Sequence, residues 1–161
     1  RSVTEFNYRI SDAKEAHLFL GVATQDAGEA DVLRSDLEKI GFGVHDLSKN
    51  SLAKTHLRYM VGGHSPLAVH EQLFRFEFPE KPGALRSFLD QMNPDWNISL
   101  FHYRNNGGDS GHVLVGIQVP ESDKKLLKDF LASLGYPYID ETDNLGYKWF
   151  LANHQNTPAK H

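Results

Sequence analysis

An α+β fold, one small unit used twice, is predicted by three observations. Phe74, Phe76 and Phe78 alternate with Arg75 and Glu77, the period-two pattern of a strand with one buried face. Leu85, Phe88, Leu89 and Met92 follow at i, i+3, i+4 and i+7, the stripe of an amphipathic helix, and Ile98–Tyr103 then reads as a second strand, so that Leu73–Tyr103 forms a βαβ unit. Finally, the chain overlays itself when shifted by 95: Phe6, Tyr8, Arg9, His17 and Gly21 fall on Phe101, Tyr103, Arg104, His112 and Gly116. With a shift of 94, Leu33, Leu37, Gly41, Asp46 and Asn50 fall on Leu127, Leu131, Gly135, Asp140 and Asn144. Chance identity is roughly one position in 15 to 20 for ordinary compositions, so the repeat is real. Its period is far longer than a solenoid unit.

Taken in order, Ser2–Arg9 and His17–Thr24 read as strands. Gly28–Ile40 carries Leu33, Leu37 and Ile40 at helical spacing and stops at Gly41, a C-terminal cap. Gly43–Leu47 is expected to be a short strand, and His56–Val61 another, closed by Gly62-Gly63. His64–His70 is a connector. In the following unit Pro79 stops the first strand, Pro82 and Gly83 open the helix, and Asn93-Pro94 ends it. Asn106-Gly107-Gly108-Asp109 signals a hairpin. His112–Val119 is a strand, and Glu121–Leu134 a helix with Leu127, Phe130, Leu131 and Leu134 inward. Tyr136–Asp140 and Tyr147–Leu151 are the last expected strands, and His154–His161 a polar, disordered tail.

The second copy therefore runs strand, helix, strand, strand, helix, strand, the split βαβ order of a ferredoxin-like unit. The first copy begins at its second strand. The expected division is a first subdomain over 1–63, a connector over 64–72, a second subdomain over 73–152 and a tail over 153–161. The expectation follows that the chain, which opens on Arg1, was cut from a longer protein that holds the opening strand and helix of copy one. That copy would keep an uncovered sheet edge and an uncovered apolar groove. Self-association as a dimer or larger is the expected remedy.

Bulk composition narrows the function classes. The 161 residues hold 17 basic and 21 acidic side chains, a net charge of −4, with no electrostatic footprint for nucleic acid. There is no cysteine, which rules out disulfides, thiolate metal sites and a thiol nucleophile and fits a reducing compartment. No apolar run approaches the roughly 20 residues of a membrane span. Nine histidines include the repeat-related pair His17 and His112, but none stands at metal-ligand spacing. Asp140, Glu141 and Asp143 read as a solvated turn.

The stretches HLRYMVGG (His56–Gly63), FRFEFPEKPGAL (Phe74–Leu85) and WNISLFHYR (Trp96–Arg104), with LVGIQVPE (Leu114–Glu121) and EFNYR (Glu5–Arg9), resemble the C-terminal regulatory region of biosynthetic threonine dehydratase. The resemblance runs from Arg1 to Ala152. It implies two ACT-like subdomains, each a ferredoxin-like βαββαβ unit, here with the first lacking its opening strand and helix. It further implies isoleucine as an inhibiting effector and valine as an opposing one. The catalytic domain of the parent chain, with its pyridoxal phosphate, would be the other partner. This stretch has no lysine-bearing cofactor loop and no glycine-rich phosphate cradle, so no cofactor is expected in it and no catalysis by it. The implied compartment is the cytoplasm, or the plastid stroma for a plant source.

Six residues are candidates for effector binding. Tyr8 and Tyr103 pair by repeat, and the resemblance places effector contacts at both; either ring also suits ordinary core packing. Arg104 follows Tyr103, as Arg9 follows Tyr8, and arginine clamps a carboxylate through two parallel N–H bonds, or else forms an ion pair. Arg58 matches a family position tied to effector sensitivity, or is a surface salt bridge. Gly83 and Ala84 open a helix, where free N–H groups hold a carboxylate or simply cap the helix. The rival to an allosteric module is a structural oligomerisation module that binds no ligand. RNA binding on the same scaffold lacks both the aromatic signature run and positive charge.

Overall fold

The computed structural model describes residues 2–53, 62–104 and 110–153. The expected strand His56–Val61, the Asn106–Asp109 hairpin and the tail from His154 lie outside the described residues. Among the described residues six strands form one antiparallel sheet: β1 (Val3–Arg9), β2 (Leu18–Val22), β3 (Glu71–Pro79), β4 (Asn97–Arg104), β5 (Ser110–Gln118) and β6 (Tyr138–Asp140), in the order β2-β1-β4-β5-β3-β6. The helices are α1 (Ala27–Lys39), α2 (Ala84–Gln91), α3 (Lys124–Leu134) and α4 (Leu145–Phe150), with a 3₁₀ turn at Glu121–Asp123 leading into α3.

From β3 to β6 the element order is βαββαβ, and the strand order β4-β5-β3-β6 puts β3 parallel to β4 with β5 between them, the split βαβ arrangement. The two copies share one sheet because β1 pairs with β4, the two strands related by the 95-residue shift.

The helix-covered face of the sheet holds the core. Phe74, Phe76 and Phe78 are buried on it, as their alternation predicts, and Phe88 of α2 packs at 5.4 Å from the rings of Phe76 and Phe78. Phe88 is fully buried and meets Phe130 of α3 at 5.6 Å. The four expected inward residues of α3 are its buried ones. Trp96 closes the end of the core, stacked edge-on against Phe130, with its indole N–H donating to Asp123 at 3.0 Å. The opposite face carries a smaller cluster of Leu73, Leu100, Tyr147 and Ala152.

Three expectations need correction. Residues 43–47 form no strand. By the repeat they match β6, and β6 exists because it pairs with β3. The described part of copy one has no strand at the β3 position, so 43–47 have no ladder to join. Residues 147–151, expected as a strand, lie in or just beyond α4, where the Asn144 side chain caps the helix by accepting from the Gly146 N–H at 2.7 Å. Tyr147 and Leu151, four apart, then fall on one face and both join the smaller cluster. Finally, Leu85 and Leu89 of α2 are exposed at 43% and 45%, because only Ala84 and Phe88 of that helix reach the core.

The described elements of copy one are less covered than those of copy two. α1 has no buried residue, although Gly41 takes the left-handed conformation (φ 99°) that ends the helix, as its counterpart Gly135 does (φ 70°). Leu18 and Leu20 of β2 remain 51% and 42% exposed.

Candidate functional site

A cleft of about 450 Å³ opens where the copies meet, between β1–β2 on one side and the β3–α2 turn on the other. Its floor is made by Phe6 of β1 and by Phe101, Tyr103 and Val113 of β4 and β5. Phe6 and Phe101 are repeat counterparts, and their rings meet edge to face at 5.4 Å. Phe78, Ala84 and Leu85 form the far wall, and the exposed face of Leu85 is part of it. Among the described residues, Glu80 and Lys81, from the turn before α2, are the only charged groups of the lining, and they stand at one end. The Tyr103 hydroxyl has its pKa raised by burial and, to a lesser degree, by the nearby Glu80 carboxylate, so it stays a neutral hydrogen-bonding group.

Glycine makes this geometry possible at one point. A Cβ on Gly111 would lie 2.9 Å from the Tyr103 ring and 3.1 Å from a Glu80 carboxylate oxygen. The strand must lack a side chain there for both to close on the cleft.

The six sequence candidates separate. Tyr103 and Ala84 line the cleft. Gly83 adjoins it at the start of α2 with φ 86°, a backbone that favours glycine, while its neighbours Pro82 and Ala84 form the wall. Tyr8 is half-buried against the main core, on the same sheet face but away from the cleft, and burial raises its pKa. In copy one no described turn stands where 79–85 stand in copy two, so Tyr8 has no matching wall. Arg104 is in register with Glu5 and its charge acts on His102, which places it on the other face of the sheet. Arg58 lies outside the described residues.

Arg9 is committed elsewhere. It is buried and donates to Glu71 (2.5 Å), to the Gly63 carbonyl (2.9 Å) and to the Leu151 carbonyl (2.5 Å). Glu71 accepts in turn from the Ser99 and Tyr147 hydroxyls, the latter at 2.7 Å. A Cβ on Gly116 would come within 2.9 Å of both the Glu71 carboxylate and the Ser99 hydroxyl, so this hub too needs a bare strand position. It pins β1, β3, β4 and α4 together, a structural use of an arginine that sequence offered as a carboxylate clamp. Sequence reading overlooked Glu71, Ser99 and Tyr147. It also overlooked Glu80 and Lys81, although they stand beside the Pro82-Gly83 pair it singled out.

Among the described residues no group of three or more histidine or acidic side chains gathers to hold a metal ion. No described helix is long and apolar enough to cross a membrane.

A tandem α+β repeat that shares one sheet and opens an apolar cleft at its seam is the class of domain that the fold and the site define. The family model described as the C-terminal regulatory domain of threonine dehydratase matches residues 1–57 and 64–151, and the chain belongs to that family. It is 57% identical over 152 residues to an L-threonine dehydratase biosynthetic IlvA of Burkholderia multivorans, 46% over 153 residues to that of Escherichia coli K12, and 44% over 150 residues to the chloroplastic biosynthetic threonine dehydratase of Arabidopsis thaliana. These alignments cover 93–94% of this chain but only 25–30% of each relative. The family implies pyridoxal phosphate for its catalytic part. The residues described here do not fit that group, since every described lysine is solvent-exposed and a Schiff-base nitrogen needs a sheltered pocket.

Proposed function

We propose that this chain is the effector-sensing part of a pyridoxal-phosphate-dependent threonine dehydratase of isoleucine biosynthesis. In this reading isoleucine is the inhibiting effector and valine the opposing one, and both seat their branched side chains in the seam cleft. One observation carries it: an apolar cleft of about 450 Å³, with Tyr103 in its floor and two opposite charges at one end, matches a small aliphatic molecule with a zwitterionic head. A ligand held between β1–β2 and the β3–α2 turn favours one packing of the two copies over another. A difference of about 1–3 kcal/mol between those packings suffices to throttle a distant catalytic site. The parent enzyme would convert threonine to 2-oxobutanoate and ammonia, in the bacterial cytoplasm or, for a plant source, in the plastid stroma.

Titration calorimetry with isoleucine and valine tests this on the chain itself. Both should bind, and Tyr103→Ala should weaken them about tenfold or more. A folded sample that takes up neither amino acid defeats the reading.

A second reading, an oligomerisation module without a ligand, draws on the exposed apolar residues of copy one, among them Leu18, Leu20, Val32 and Ile40. It expects dimers or larger whose melting temperature ignores branched amino acids. A monomer at micromolar concentration in analytical ultracentrifugation excludes it.

A further inference from the structure

The charged end of the cleft assigns the ligand's chemistry more narrowly, on the premise that the cleft is an amino-acid site. Its walls are apolar apart from Glu80, Lys81 and the Tyr103 hydroxyl. Glu80 and Lys81 are adjacent, exposed on the turn before α2, and among the described residues neither charged end is held in an ion pair. The Glu80 carboxylate lies against the bare Cα of Gly111, beside the Tyr103 ring of the floor. Arg104, the sequence candidate for gripping a carboxylate, is on the opposite face. That leaves Lys81 as the lining's cation and Glu80 as its anion.

We infer that Glu80 receives the α-ammonium of the bound molecule and Lys81 its α-carboxylate, so that the cleft selects free aliphatic α-amino acids and rejects 2-oxo acids with the same carbon skeleton. The two ligand types share the side chain and the carboxylate. They differ at one atom, where a charged donor is replaced by a carbonyl oxygen. Beside a carboxylate, the first gains a charge-assisted hydrogen bond and the second meets an acceptor with an acceptor. This discrimination has a use: a regulatory site that reads the amino acid must ignore the 2-oxo acid from which transamination makes it.

Calorimetric titration with isoleucine and with 3-methyl-2-oxopentanoate separates the parts. The unaltered chain should bind isoleucine at least about tenfold more tightly than the oxo acid. Glu80→Gln should weaken isoleucine about tenfold and leave the oxo acid unchanged or improved, whereas Lys81→Met should weaken both. Both side chains are exposed, so melting curves of the variants should match that of the unaltered chain. If Glu80→Gln binds isoleucine as well as the unaltered chain does, the assignment of Glu80 is wrong while the amino-acid reading stands. If the oxo acid binds as tightly as isoleucine, the selectivity is wrong. If the unaltered chain binds no amino acid at all, the underlying reading falls, and the assignment falls with it.

Discussion

Asn7 lies directly opposite His102 in the β1–β4 ladder, and the two are each other's counterparts in the repeat, since 102 − 7 = 95. Their neighbours obey the same rule. Phe6 faces Tyr103 while its counterpart Phe101 faces Tyr8, so a local two-fold axis passes between Asn7 and His102. The copies therefore meet as the two halves of an isologous dimer do, within one polypeptide. The cleft lies to one side of that axis, where the β3–α2 turn of copy two forms its wall.

The axis also gives the chain a pH-sensitive point. Burial lowers the His102 pKa below its usual value, the Arg104 charge lowers it further, and Glu5 opposes them. The folded state thus binds a proton less readily than the unfolded chain. The stability that follows is present above the unfolded value of about 6.5 and is lost as pH falls through the lower folded value. Urea unfolding at pH 7.5 and at pH 5.5 should show a decline that is shallower in His102→Asn. The effect should be small, because the ring keeps a solvent-facing side.

Arg9 and Glu71 should be the most sensitive polar pair in the molecule. Their side chains are only 4% and 1% exposed. Removing one partner strands the other charge, so Arg9→Met or Glu71→Leu alone should cost about 3–5 kcal/mol by urea denaturation. The double variant should recover a substantial part of that loss. Tyr147→Phe removes a single hydrogen bond to Glu71 and should cost about 1.5–3 kcal/mol.

Leu37 and Leu131 are repeat counterparts in unlike surroundings. Leu131 is 5% exposed in the main core, whereas α1, which carries Leu37, has no buried residue. Leu131→Ala should cost about 2–5 kcal/mol and Leu37→Ala less than about 1 kcal/mol. Amide hydrogen exchange should show the same split, with α1 protected far less than α3.

Gly111 and Gly116 lie on the same strand but serve opposite faces of the sheet. Gly116→Ala forces a methyl to within 2.9 Å of the Glu71 and Ser99 side chains and should destabilise the fold by about 1–3 kcal/mol. Gly111→Ala pushes on the Tyr103 ring and Glu80. It should weaken isoleucine binding while shifting the melting temperature less than Gly116→Ala does. Thermal melts with and without isoleucine check both.

Much of this architecture was legible in the residues. Phe74, Phe76 and Phe78 alternate strongly enough to declare their strand and its buried face. Leu127, Phe130, Leu131 and Leu134 do the same for α3, and Gly41 and Gly135 end their helices at matching places. Periodicity and backbone freedom are local properties, and they survive in a one-dimensional reading. Tyr147–Leu151 shows where that fails: five residues of mixed aromatics fit a strand or a helical turn equally, and the Asn144 cap decided between them.

By itself, then, the sequence determined the repeated unit, most of its elements and the kinship they carry, because those depend on spacing along the chain. The tertiary structure alone decided three further things: that β1 and β4 join the copies edge to edge, that Arg9 pairs with Glu71, and that Glu80 and Lys81 line the same cleft as Tyr103. Each depends on which faces meet between residues distant in sequence. Ladder register and side-chain direction settle that, and no local pattern encodes them.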